Sequence, residues 1–348
     1  MTDTTQGAPP SRNGHAETSH HPNTDPERGD QDYYGIPPIK EHTWTWEIPV
    51  YFWLGGLGSG AHIVTTIARL LGNEDKAFLR AGRYTTLVAM ILSPILLISD
   101  LGRPERFYNM LRVVKWHSPM SMGTWGLSIF ATLTSLTGAI QAARDGLVFG
   151  HNNFLARFLS GLPDRLIAVL ATPFGLFVGA YTGVLIALTS VPIWARNAVL
   201  MGPLFITSAL SNGSSAISFI LHLGGWGEKK TLEALRRMEL LALCLEGLLV
   251  AASLIQMGRW GKPLRSGKLG TLFLGGAVGG GILTPLALLY GRESRPRGLL
   301  ASLLVVIGGY ILRRSIVDAG TYSARDPQAT FTFARKENLP LRDENVQG

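Results

Sequence analysis

The chain has 348 residues, of which 46% are hydrophobic and only 16% charged, with a net charge of +8. Average soluble chains carry roughly 25% charged residues, and here the charges cluster between long apolar runs, which excludes an ordinary soluble domain. A single cysteine, Cys244, excludes an intramolecular disulfide framework, a cysteine-ligated iron–sulfur cluster and a cysteine zinc site within this chain.

Residues 1–43 are polar, rich in Pro, Gly, Asp, Glu and His, and hold no apolar run. They read as a disordered tail, in which His15, His20 and His21 are solvated rather than metal-binding. No signal-peptide pattern precedes the first apolar run, which is expected to serve as its own insertion signal. That run, residues 47–71, is interrupted only by glycines, small hydroxyls and His62. At 1.5 Å per residue it can cross a bilayer core of about 30 Å. Gly56 and Gly60 stand at GxxxG spacing, which lets another helix approach closely.

Seven further apolar segments follow, near 84–101, 120–142, 164–189, 198–221, 238–257, 269–290 and 299–316. Each is close to the length a spanning helix needs. A β-barrel would need alternating segments of roughly ten residues, and these are absent. Pro94, Pro173, Pro203 and Pro285 fall inside segments and are expected to kink helices or free carbonyls. The glycines, as in GGAVGGG at 275–281, read as tight helix packing. The predicted fold class is an all-α integral membrane protein, eight transmembrane helices in a bundle, arranged as two four-helix bundles. The predicted domains are a tail at 1–43, a membrane domain at 44–318 and a polar C-terminal tail at 319–348.

Lys and Arg sit mostly in short loops between spans, so headgroup anchoring explains the positive charge and no nucleic-acid partner is expected. The loops after the first, third, fifth and seventh spans hold the larger share. Arg313, Arg314 and Arg325, read as flanking charges of the last span, almost close the gap. The bias leans toward both termini outside the cytoplasm.

The sharpest polar motif is SDLGRPERFYNMLR at 99–112, which closes the second span. Asp100 sits at the helix end, and Gly102 and Pro104 can make the turn out of the membrane. Arg103 and Arg106 balance Asp100 and Glu105. The motif reads either as a charge-balanced helix end or as the wall of a polar pocket or docking surface. Lys115, Trp116, His117, Ser118 and Trp125 add an aromatic and polar rim. Deeper in the membrane lie His62, Glu246 and the SNGSS patch at 211–215 with Asn212. Such groups can relay protons or serve as interhelical hydrogen bonds. Glu246 reads as a protonatable functional group, because an unpartnered buried carboxylate is costly.

Four stretches in order, WTWEIPVYFWLGGLGSGAH, SDLGRPERFYNMLR, SPMSMGTWG and AYTGVLIALTSVPIW, resemble the NrfD/PsrC family of membrane subunits over about residues 44–320. The resemblance implies an eight-helix, quinone-reactive anchor without haem, docked to a ferredoxin-like four-cluster iron–sulfur subunit and, through it, to a further catalytic subunit. It also implies a bacterial plasma (inner) membrane, and some members are thought to move protons. Asp100, Arg103 and Pro104 match the family's turn motif, and Tyr181 and Trp194 match its fourth-span element, where a tyrosine is associated with the quinone. Glu47 and Tyr51 are further candidates near the start of the first span.

The expected quinone-binding residues are therefore Glu47, Tyr51, Asp100, Arg103, His117 and Tyr181, and the expected proton path is His62, Asn212 and Glu246. The expected cofactor is an exchangeable menaquinone or ubiquinone, with no haem or Fe–S cluster in this chain. A quinone needs an apolar slot and a hydrogen-bond donor at each carbonyl; its reduction takes up two protons. Three rivals remain. A secondary transporter would explain the broken helices and midplane polar groups. A cytochrome b-like anchor would use His62 and His222 as haem ligands. A structural anchor would need neither.

Overall fold

The computed structural model describes residue 39, residues 44–147, 154–291 and 294–326, and residues 330, 331 and 333. The histidines of the N-terminal tail lie outside these residues. Among the described residues all regular structure is helical, and eight long helices account for most of it. They are α1 (Glu47–Leu70), α2 (Lys76–Ser99), α3 (Pro119–Arg144), α4 (Asp164–Ala187), α5 (Ala198–Gly224), α6 (Lys229–Met257), α7 (Gly267–Tyr290) and α8 (Arg295–Arg325). Within α7, residues Leu272–Leu283 form a π-helix.

Local chemistry fixes several boundaries. The Asp75 carboxylate caps α2, accepting from Ala77 N at 2.9 Å and Phe78 N at 3.3 Å. Its other oxygen accepts from Glu228 N at 2.7 Å, which ties the start of α2 to the start of α6. Ser118 caps α3, with Pro119 at the first helical position. Gly225 ends α5 at φ 67°, a left-handed conformation that glycine adopts without strain. The prolines inside α2, α4 and α5 leave each helix continuous.

Seven of these helices are long and apolar enough to cross a membrane, which makes this a multi-pass membrane protein. The exception is α1, and its surroundings explain its composition. It packs against α2, α4, α5 and α8, and every residue from Gly55 to Thr66 is buried. A helix shielded by its neighbours need not carry lipid-compatible side chains. Lipid-facing helices look different. Leu241, Leu245, Leu248 and Ile255 form an exposed stripe on α6, and Val88, Ile91, Leu92 and Ile95 form one on α2.

The helices meet through small residues, since burial in lipid supplies no hydrophobic drive. A Cβ on Gly60 of α1 would sit 1.8 Å from the Ala209 carbonyl oxygen of α5. A Cβ on Gly213 of α5 would sit 2.1 Å from Ala61 N of α1. The two backbones therefore touch at matching glycines. Gly281 of α7 and Gly308 of α8 make a second such contact.

The last helix extends past residue 318 to Arg325. This places Arg313 well inside α8, fully buried. Sequence position alone suggests a headgroup anchor. The structure corrects that, because the helix begins at Arg295 and continues for three turns beyond Arg313.

Candidate functional site

Polar groups gather in three places. The first is the end of the molecule where α1 and α4 meet the α2–α3 connection. Because α1 and α2 are antiparallel neighbours, Glu47 at the start of one lies near Asp100 at the end of the other. Thr45 joins them. Its hydroxyl lies 3.2 Å from an Asp100 carboxylate oxygen and makes a short contact with Glu47 Oε2. A hydroxyl between two carboxyl groups can accept from one, when that one is protonated, while donating to the other, which is what passing a proton between them requires.

One turn into α1, Tyr51 is buried. The Tyr181 hydroxyl donates to the Pro119 carbonyl at 2.5 Å. Its ring stacks on Phe177, with centroids 5.0 Å apart, and lies against Gly123, where a Cβ would come within 2.3 Å of it. Trp44 stacks on Trp194 with centroids 5.9 Å apart and meets Phe52 edge-on. The Trp194 indole donates to the Ile316 carbonyl at 2.9 Å. The sequence candidates Glu47, Tyr51, Asp100 and Tyr181 thus converge on one end. Arg103 and His117 lie farther out, on the exposed connection between α2 and α3. That connection also exposes Tyr108, Val113 and Trp116 beside Arg106, Arg112 and Lys115.

The second place is the opposite end of α1 to α4. Asp164, at the start of α4, accepts from Arg69 at 2.6 Å and Arg144 at 3.0 Å, and also pairs with the buried Arg83. Arg83 in turn donates to Gln141 at 2.6 Å. Beside this cluster Asp145 receives Arg80 at 2.5 Å, Tyr84 at 2.7 Å and Gln141 at 3.0 Å. His62 reaches toward this end. Its Nε2 lies 3.1 Å from the Ala168 carbonyl, which can only accept, so the ring proton sits there. A cavity of about 20 Å³ runs from His62 past Thr65, Thr86 and Arg83 to Arg165. That is room for one water.

The third place is the seam between α5, α6 and α8. Here Ser211 donates to Glu246 Oε2 at 2.5 Å. The Asn212 amide donates to the Ser208 carbonyl at 2.7 Å and packs on Gly309. Arg313 donates to Ser208 Oγ at 3.0 Å and to the Gly309 carbonyl at 3.2 Å, lies over the Phe205 ring at 5.4 Å, and interacts with Glu246. A Cβ on Gly56 of α1 would stand 2.5 Å from the Arg313 guanidinium, so the glycine makes space for it. Asn212 and Glu246 are therefore brought together. His62 is not with them, for it faces Ala168 of α4 and Phe130 of α3.

Two members of this seam escaped sequence reading. Arg313 was hidden among flanking charges. Glu239, two turns before Glu246, sits at the edge of its apolar run, yet it is 1% exposed. The seven-residue spacing of the two glutamates on one helix was the available signal. His62 and His222 line different cavities and face different helices.

The chain belongs to the polysulphide reductase NrfD family, whose model matches residues 38–323. It is similar to the C subunit of polysulfide reductase from Wolinella succinogenes, 29% identical over 318 residues, covering 83% of the present sequence and 98% of that subunit. It is also similar to protein NrfD of Escherichia coli K12, 27% identical over 307 residues, covering 80% and 94%.

Proposed function

We propose that this protein is the quinone-reactive membrane subunit of a respiratory oxidoreductase. It exchanges electrons between a menaquinone or ubiquinone pool and a ferredoxin-like four-cluster iron–sulfur partner, which passes them to or from a further catalytic subunit. In this reading α1 is the eighth span, α1–α4 and α5–α8 form two four-helix bundles, and the host is a bacterial plasma membrane. The observation that carries the reading is the convergence of Glu47, Tyr51, Asp100 and Tyr181 at one end, in a protein that belongs to the polysulphide reductase NrfD family.

The residues fit a quinone. Tyr51 and Tyr181 are hydroxyl donors set among Phe52, Phe177 and Trp44, the mixture of apolar wall and few donors that such a ring needs. Tyr181 would exchange its bond to the Pro119 carbonyl for one to a quinone carbonyl. Reduction of the ring takes two electrons and two protons, and quinol oxidation returns both. Glu47, Asp100 and the Thr45 hydroxyl between them would carry those protons to or from water. The one cysteine leaves the electron carriers to the partner. The exposed connection with Arg103, Arg106, Lys115 and Trp116 offers that partner a basic and aromatic surface, close to the quinone. Asn212 and Glu246, with His62 on a separate branch, supply protonatable or polar groups inside the membrane.

The test is purification of the native complex from its membrane in mild detergent, with identification of partners and extracted quinone. A cysteine-rich iron–sulfur subunit together with bound quinone is the expected result. A stable protein with neither, in several detergents, would overturn the reading in favour of a secondary transporter.

A further inference from the structure

The seam between α5, α6 and α8 holds more polar atoms than its hydrogen bonds satisfy. Glu239 Oε1, Ser302 Oγ, Asn212 Oδ1 and Arg313 Nε are buried without a hydrogen-bond partner, and Ser215 Oγ reaches only loosely toward the Glu239 carboxyl. Buried polar groups are paired with protein or with water in nearly all native structures. An apolar environment would make each orphan costly. Other such atoms are scattered over α2, α3, α4 and the α4–α5 connection, but these five follow one another along a single seam, where internal water would pair them.

The order of the groups is directional. On α5, Ser208, Ser211, Ser215, Ser218 and His222 follow at intervals of three or four residues, so they share one face. At 1.5 Å per residue they cover about 21 Å, more than half of a bilayer core. On α6, Glu239 and Glu246 face them two turns apart. Ser215 and Ser218 lie within interaction range of Glu239, and Ser208 and Ser211 of Glu246. On α8, Gly298 packs on His222 and Gly309 packs on Asn212, with Ser302 between them in sequence.

A cavity of about 20 Å³ is lined by Glu239, Ser218, His222, Arg236, Ser294 and Gly298, enough for one water. His222 Nδ1 lies 2.7 Å from the Ser218 carbonyl, so that nitrogen bears the proton and leaves Nε2 as an acceptor. Nearby cations are held in place. Arg295 donates to the His222 carbonyl at 2.6 Å, and Arg236 donates to the Leu289 carbonyl at 2.8 Å.

We propose that Glu239 is the intake of a water-bridged proton wire that runs from the His222 end of the seam, between α5, α6 and α8, to Glu246 beside Arg313. A hydronium at the cavity gives its proton to the Glu239 carboxylate and remains as water. Glu239 passes that proton through the serine hydroxyls and intervening water to Glu246, and returns to its starting state. The quinone reaction is the sink or source of the protons, so the proposal rests on the function inferred above. It adds a residue, Glu239, and a route separate from His62.

Two measurements test it in the native complex. The first is quinol-linked turnover and proton uptake in liposomes for wild type, Glu239→Gln and Glu239→Asp. Glu239→Gln is expected to lower both at least tenfold, with subunits and bound quinone retained, and Glu239→Asp to restore most of the loss. Wild-type rates in Glu239→Gln would overturn the wire. Absence of quinol turnover in the wild type would instead sink the quinone reading. The second measurement needs no quinone. Pulsed hydroxyl-radical labelling in lipid nanodiscs should modify the buried Leu243, and do so at least fivefold less in Glu239→Leu. Labelling no greater than that of the lipid-facing Leu241 and Leu245 would show a dry seam and end the proposal.

Discussion

Replacing Gly60 by alanine tests the idea that α1 and α5 are joined backbone to backbone. The new methyl would lie 1.8 Å from the Ala209 carbonyl oxygen and 2.5 Å from its carbon. Ordinary contact begins near 3.4 Å, so the helices must part locally by about 1.6 Å. No flexible side chain can yield, because the obstacle is main chain. A gap of even 0.5–1 Å forfeits roughly a quarter to a half of each dispersion contact it opens. The Gly213 contact with Ala61 lies on the same crossing and opens with it. Overpacking of this kind costs about 3 kcal/mol, more than a hundredfold in the folded-to-unfolded ratio. The assay is unfolding in mixed detergent micelles containing increasing dodecyl sulfate, followed by tryptophan fluorescence. Gly275→Ala is the control, since nothing lies within 4 Å of a Cβ there. Gly275→Ala should match or exceed wild type. If Gly60→Ala unfolds at the same detergent fraction as wild type, the backbone contact is wrong.

Three other outcomes follow from the polar clusters. Asp164→Asn removes the carboxylate that Arg69, Arg83 and Arg144 share. Leaving buried Arg83 uncompensated should lower stability by about 3 kcal/mol, after allowing for the exposure of the other two arginines; an unchanged melting curve would refute this. Asp145 lies just outside α3, where burial pushes its carboxyl up but hydrogen bonds from Tyr84, Gln141 and Arg80 outweigh that and hold it below its ordinary value. Its contribution is therefore complete above the unfolded value and is lost as pH falls through the lower folded one, so Asp145→Asn should flatten the acid limb of the stability profile. Tyr181→Phe, which keeps the stack on Phe177 and loses the hydroxyl, should cut quinol-linked turnover at least tenfold while assembly persists; unchanged turnover would remove that hydroxyl from the mechanism.

The apolar segments were legible because a bilayer imposes length on a spanning helix. What escaped was decided by where helices begin, not by where apolar runs begin. The sixth segment reads as starting near residue 238, which leaves Glu239 at a margin. The helix starts at Lys229, so Glu239 lies three turns inside it. Arg313 was lost in the same way at the other end of the sequence. Glu246 was found because its neighbours on both sides are apolar. The convergence of Glu47 with Asp100 needed the antiparallel pairing of α1 and α2, which short loops predict. The link between them, Thr45, carries no signal of its own in the sequence.

The separate location of His62 has a consequence for mechanism. Two polar seams flank α1, one toward α4 with His62 and one toward α8 with Arg313, and they are insulated by the close Gly60–Gly213 crossing. A crossing that tight leaves no volume for water between the seams. Protons entering beside His222 therefore cannot reach His62 sideways, and each seam needs its own connection to the Glu47–Asp100 end. The Arg313 guanidinium lies against Gly56, nine residues or about 13 Å along α1 from Glu47. Gly56→Leu would push into the space that the Arg313 guanidinium occupies. If the α5–α6–α8 seam communicates with the quinone end through this point, that substitution should depress turnover as Glu239→Gln does, and the double variant should be no slower than either single one. Additive losses would place the two residues on different routes.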